Sequence, residues 1–122
     1  MRAILLVDHG SRRAEANRVV EDVAELLRAA HAGLIVVAAH LEIATPNIAD
    51  GFRACVAAGA VEIVAVPYFL GPGRHASVDV PRLVAEAAAS HAGVTARVVE
   101  PLGAHPALAE LIAVRAGIGI VD

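Results

Sequence analysis

Four side chains able to bind a metal or move a proton each stand just after an apolar run: His9, Glu42, His75 and His105. The runs are residues 3–7, 34–41, 61–66 and 94–100. If they are parallel strands, all four side chains fall along the carboxyl edge of one sheet. That edge is where open α/β sheets bind their ligands. His31 and His91 fall at the opposite edge, and no comparable cluster forms there. Two imidazoles and a carboxylate make a donor set of borderline softness, suited to divalent Zn, Fe, Co or Ni. Three protein ligands leave coordination positions open, which suits exchange or catalysis rather than structural bracing. An imidazole must be neutral to bind a metal, so such an activity falls in acid. The plainer role for His9 is to cap the next helix or bond a neighbour. His40 stands two residues before Glu42 and shares its side of an extended strand. It is either an accessory group or a core histidine bonded to a backbone carbonyl.

The elements that would position these groups alternate along the chain. Residues 13–30 carry Val19, Val20, Val23, Leu26 and Leu27 at helical spacing, with acids elsewhere on the surface. Ser11 is the expected cap of this helix. Thr45 and Pro46 open a second helix, with Thr as cap and Pro at the first helical position, running to about residue 58. Cys55 within it reads as a small core residue. Glu62 interrupts the third strand near its start, where a charge is readily solvated, and Pro67 ends it. A third helix begins between residues 77 and 81 and ends near 90, and a last one spans residues 106–116. The tail, residues 117–122, is either a fifth short strand or a disordered end. The β-α-β-α-β-α-β-α order predicts a single α/β domain over residues 1–122, with a parallel sheet covered on both faces.

Composition sets outer bounds. The chain has 122 residues, enough for one core, and is 57% hydrophobic with only 2% aromatics. Its core must therefore be Val, Ile, Leu and Ala, as in buried parallel sheets. A net charge of −3 with no lysine argues against a nucleic-acid surface. All ten basic residues are arginines, which grip carboxylates in bidentate fashion. One cysteine permits neither an internal disulfide nor a cysteine-based zinc site. The apolar start is too short for a signal peptide and meets Asp8 at once, and no uncharged run reaches membrane length. The expected compartment is the cytoplasm. Dinucleotide, phosphate-loop and serine-hydrolase motifs are missing.

The segments His9-Gly10-Ser11-Arg12, Leu41-Glu42 with Pro46, residues 67–75 with Asp79-Val80-Pro81, and residues 101–106 resemble the short-form sirohydrochlorin chelatases. This is the cobaltochelatase and ferrochelatase family that works without ATP, and the likeness spans nearly the whole chain. It implies a chelatase-like sheet of order 2-1-3-4 and insertion of Co, Fe or Ni into sirohydrochlorin or a related tetrapyrrole of the cobalamin and siroheme type. No cofactor beyond the metal substrate is implied. His9 and His75 would bind the metal, with Glu42 as acidic partner, and these three would carry the catalysis. His9 would also accept a pyrrole proton. Ser11, Arg12, Thr45 and the segment Leu70, Gly71, Pro72, Gly73, Arg74 and His75 would contact the macrocycle. Short members resemble half of a longer two-domain enzyme, so a homodimer is expected.

Asp8, Thr45 and His40 depart from the family's usual residues. Asp8 could steer cations or disturb the pocket. Two other readings fit parts of the pattern. A metal or tetrapyrrole carrier on the same fold would bind without turnover. A histidine phosphatase carries Arg-His-Gly after its first strand, but here Asp8 replaces the Arg and would repel phosphate. Arg12, Arg13, Arg74 and Arg82 lie near the expected edge and suit a substrate with eight carboxylates. For Arg13 and Arg82 a role in solubility is favoured.

Overall fold

Four short runs of Val, Ile, Leu and Ala form the strands of the computed structural model, which describes residues 1–118. They are β1 (Arg2–Asp8), β2 (Ile35–His40), β3 (Glu62–Pro67) and β4 (Thr95–Val98). All pair in parallel in the order β2-β1-β3-β4. The helices are α1 (Ala14–Ala30), α2 (Ile48–Ala57), α3 (Val80–Ala89) and α4 (Pro106–Arg115). The expected sheet order and the helices on both faces are both present.

Alternation along the strands sorts side chains to two cores. Leu6, Val36 and Ala38 pack with Val20 and Ala24 of α1 on one face. Leu5, Val7, Ala39, Ile63 and Ala65 pack on the other, against Phe52 and Cys55 of α2 and Val80 and Val84 of α3. Helix α2 sits close because Gly51 faces the sheet, where a Cβ would come within 2.8 Å of Leu5 and 2.9 Å of Ala39. Burial pushes the Cys55 thiol up to about 11, with its backbone hydrogen bond opposing the shift only in part. The thiol therefore stays protonated and behaves as the small core residue its place suggests. Glu62 is held at the amino edge by Arg2, 3.1 Å away.

The order β2-β1-β3 makes β1 the strand from which the chain departs in both directions. The crevice beyond its carboxyl end is therefore a topological switch point. The backbone ladder continues past the strand ends there: Leu41 N–H donates to Asp8 C=O at 2.9 Å, Glu42 N–H to His9 C=O at 3.2 Å, and Tyr68 N–H to Val7 C=O at 2.6 Å. Loops from β2 and β3 are thus tied to the loop of β1.

Two helix starts differ from expectation, while α3 begins at Val80, inside the expected range of 77–81. Helix α1 begins at Ala14, and Ser11 is not its cap: Ser11 Oγ accepts from Arg13 N–H, while its backbone N–H and C=O both bond the Asn17 amide. Helix α2 begins at Ile48 with Asn47 as cap, accepting from Asp50 N–H at 2.8 Å. Thr45 and Pro46 stay in the preceding loop, where Pro46 C=O accepts from His40 N–H at 2.8 Å. Before α3 lies a π-helical turn, His75–Asp79. The tail expectation falls mainly on residues 119–122, outside the described residues. Among the described residues, no helix is long and apolar enough to cross a membrane.

Candidate metal centre

His9 leaves the central strand β1, Glu42 follows β2 on one side, and His75 opens the turn after β3 on the other. One ligand atom from each lies within 4.8 Å of the others. His9 Nε2 stands 3.3 Å from Glu42 Oε2. The rings of His9 and His75 are 4.6 Å apart between centroids and inclined at 53°. The three side chains are 46%, 51% and 46% exposed. A cation placed among them keeps access to water and to a second ligand, as an exchanging site needs.

The π-helical turn explains the aim of His75. Single π turns are frequent at functional sites. This one brings Asp79 Oδ2 to 2.9 Å from His75 Nδ1. An ionised carboxylate only accepts, so Nδ1 carries the proton and Nε2 keeps the free lone pair. This is the carboxylate–histidine support seen behind metal ligands. For His9 the carboxylate contact is on Nε2 itself, and its Nδ1 has no hydrogen bond among the described residues. In the sequence Asp79 stands only as part of the motif Asp79-Val80-Pro81. Its place four residues after His75 was the available signal, since such spacing puts two side chains together on a helix. Asp79→Ala is expected to weaken cobalt binding by about 10–100-fold. A calorimetric titration that finds unchanged affinity would remove Asp79 from the site.

The cavity beside the triad measures about 390 Å³ and is lined by His9, Phe69, Leu70, Gly71, Gly73, Arg74, His75 and Ala76. Five of the six residues expected along segment 70–75 are there. Pro72 is the exception and lines a separate cavity of about 450 Å³ between α3 and β4. Thr45 is exposed and Ser11 half-buried, and neither lines the triad's cavity. Arg12 and Arg74 are exposed and form no ion pair among the described residues. Arg13 pairs with Glu15, while Arg82 pairs with Glu86 and also reaches Asp79, the carboxylate behind His75, at 3.8 Å.

His105 is not in the cluster. Its Nδ1 accepts from Ala107 N–H at 3.0 Å and caps α4. His40 is wholly buried, and its partner is not a backbone carbonyl but Asp8 Oδ1, 2.6 Å from Nδ1. Asp8 is thereby turned to the α1 face, away from the cleft side.

Comparisons with known proteins identify the family. The family model described as CbiX matches residues 3–117. The chain is 41% identical over 109 residues to the chloroplastic sirohydrochlorin ferrochelatase of Arabidopsis thaliana, covering 89% of this chain and 48% of that one. It is 31% identical to the sirohydrochlorin cobaltochelatase of Priestia megaterium, covering 94% of this chain and 37% of that one. Its fold superposes with a TM-score of 0.86 and 31% identity on the sirohydrochlorin chelatase SirB from Bacillus subtilis subspecies spizizenii, solved in complex with cobalt. That match covers 96% of this chain and 50% of SirB. The chain thus spans about half the length, or less, of these relatives. With nearly every residue matched and the same fold, the chain belongs to the CbiX family.

Proposed function

We propose that this protein inserts a divalent metal, Co, Fe or Ni, into sirohydrochlorin or a closely related tetrapyrrole, without ATP. The observation that carries the reading is the convergence of His9, Glu42 and His75 on one exposed point beside a cavity. The relatives named for cobalt and iron insertion support the metal class. The metal is the substrate, and no further cofactor enters the scheme. The reaction belongs to cobalamin- or siroheme-type biosynthesis in the cytoplasm.

The residues supply a balanced sequence. The metal rests on His9 Nε2, Glu42 and His75 Nε2 with its remaining positions open. A macrocycle nitrogen takes an open position, and the protein ligands are displaced in turn. Each nitrogen or oxygen that lets go of the metal regains a lone pair. His9 Nε2 and Glu42 can then take the two protons that leave the pyrrole nitrogens. The same atoms therefore serve first as ligands and then as bases, which their mutual distance of 3.3 Å makes feasible. Arg12 and Arg74 meet substrate carboxylates, and Leu70, which is 70% exposed, offers an apolar contact to the flat ring.

The working unit is proposed to be a homodimer. A cavity of 390 Å³ lies near the small end of the usual 300–1,000 Å³ for ligand sites. It leaves much of a macrocycle uncovered. Helix α4 carries Leu111, Ile112 and Val114, all exposed, and has no buried residue. Such a helix gains its stability from a partner surface.

The test is an absorbance time course of pure protein with sirohydrochlorin and each metal in turn, alongside sedimentation of the protein at micromolar concentration. Insertion above the spontaneous rate and a dimeric mass are expected. Binding of metal and macrocycle without turnover would favour the carrier reading. Sedimentation as a monomer only would end the dimer proposal.

A further inference from the structure

We propose that Asp8 and His40 form one hydrogen-bonded unit that sets the spacing of His9 and Glu42, making both of them positioning residues for the metal site. The inference rests on the site proposed above and adds residues that touch neither metal nor macrocycle.

Asp8 and His40 are direct neighbours in register across the parallel pair β1·β2. Both side chains lie on the α1 face. Their bond, Nδ1 to Oδ1, is 2.6 Å, short even for a charge-assisted contact. It sits at the last paired position of both strands. One residue later on β1 comes His9, and two residues later on β2 comes Glu42. Beyond the strands, among the described residues, two backbone bonds join the two segments: Leu41 N–H to Asp8 C=O and Glu42 N–H to His9 C=O, the second stretched to 3.2 Å. Parallel strands diverge by their twist unless something holds the ends. The side-chain bond lies where that divergence would start.

Among the described residues the Asp8 bond is the one side-chain hydrogen bond of His40. It is wholly buried, and its Nε2 has no hydrogen-bond partner among the described residues. Glu21 Oε2 of α1 lies 4.0 Å away, beyond bonding distance. Asp8 is only 16% exposed. A buried polar pair is a poor device for stability alone, because apolar residues of similar shape usually do as well or better. Its value lies in direction: a bond of fixed length between two strand ends fixes their separation, whereas an apolar contact tolerates sliding.

The difference between holding and merely filling gives the test. In the full chain, Asp8→Ala combined with His40→Leu replaces the pair with apolar groups. The measurements are the urea midpoint and a cobalt titration without tetrapyrrole, followed by the visible Co(II) bands. The double variant is expected to unfold at or above the parent's midpoint yet bind cobalt about 10–100-fold more weakly, with altered bands. Parent-like cobalt affinity in the folded double variant would overturn the inference. Should that variant fail to fold, His40→Asn against His40→Gln decides. The Asn amide nitrogen takes the place of Nδ1, while that of Gln falls near Nε2, away from Asp8. Affinity kept by Asn and lost by Gln supports the unit; equal affinities overturn it. A parent that binds no cobalt would instead remove the metal site itself, and the positioning role with it.

Discussion

His9→Ala is expected to bring metal insertion down to the spontaneous background. The substitution removes one of two imidazoles from the proposed three-ligand site and leaves Glu42, from the β2 side, and His75, from the β3 side. It also removes the group best placed to accept a proton, being 3.3 Å from Glu42 and 4.6 Å, ring to ring, from His75. Proton transfer by a positioned base contributes about 10²–10⁴-fold by itself. A fall of at least a hundredfold in the rate over background is therefore expected, together with weaker cobalt binding. Folding should be unchanged, because His9 is exposed and its side chain anchors nothing in the core. His75→Ala should weaken cobalt binding strongly while leaving part of the macrocycle affinity. His31→Ala, at the far edge, should change neither. Wild-type insertion by His9→Ala would refute the mechanism.

The placement of these three residues was legible because parallel strands share a direction. Any residue just after an apolar run must then lie on one edge, whatever the strand order. His105 obeyed the same rule and still fell outside the cluster. The rule fixes an edge but not a position along it, and β4 lies two strands from β1. Its imidazole is used locally, on the first turn of α4. The helix caps failed for a related reason. Ser11 and Thr45 are good caps by type, but each stands in a loop that is bonded to something else. Ser11 is clamped by the Asn17 amide, and the chain at Thr45 folds back so that Pro46 meets His40. In both cases a specific bond between residues six apart overrode the single-residue preference. The π-helical turn, five residues long, leaves no period in the sequence. The four-residue spacing of His75 and Asp79 was the one trace of their contact.

Asp8 and His40 show the limit from another side. Each looked like a departure from the family pattern when taken alone. Asp8 by itself is an acid that could steer cations or disturb the pocket, and His40 by itself is either an accessory group or a core histidine. The register pairs them, and a 2.6 Å bond turns two irregularities into one contact. Sequence order separates them by 32 residues, and only the sheet brings them together.

Gly10→Ala is expected to damage the fold and the site together, more than any other single methyl added to the site loops. Gly10 has φ +94°, in the region that favours glycine. A Cβ built on it would lie 1.9 Å from the carbonyl oxygen of Glu42 and 3.0 Å from its carbonyl carbon. The obstacle is backbone, so no rotamer change relieves it. Either the loop after β1 or the loop after β2 must move by more than an ångström. Strain at such a position costs about 1–3 kcal/mol before any clash is counted. Movement of Glu42 away from His9 also breaks the bond from Glu42 N–H to His9 C=O, already 3.2 Å long. An ångström of misplacement at a reacting centre costs about a hundredfold in rate. Gly10→Ala should thus lower the urea midpoint and cut insertion by about that factor even where the protein is fully folded. For the urea midpoint, Gly71→Ala is the matched control, because a Cβ there meets no protein atom within 4 Å. If Gly10→Ala kept parental stability and rate, the close approach of the two loops would not be what holds His9 and Glu42 in place.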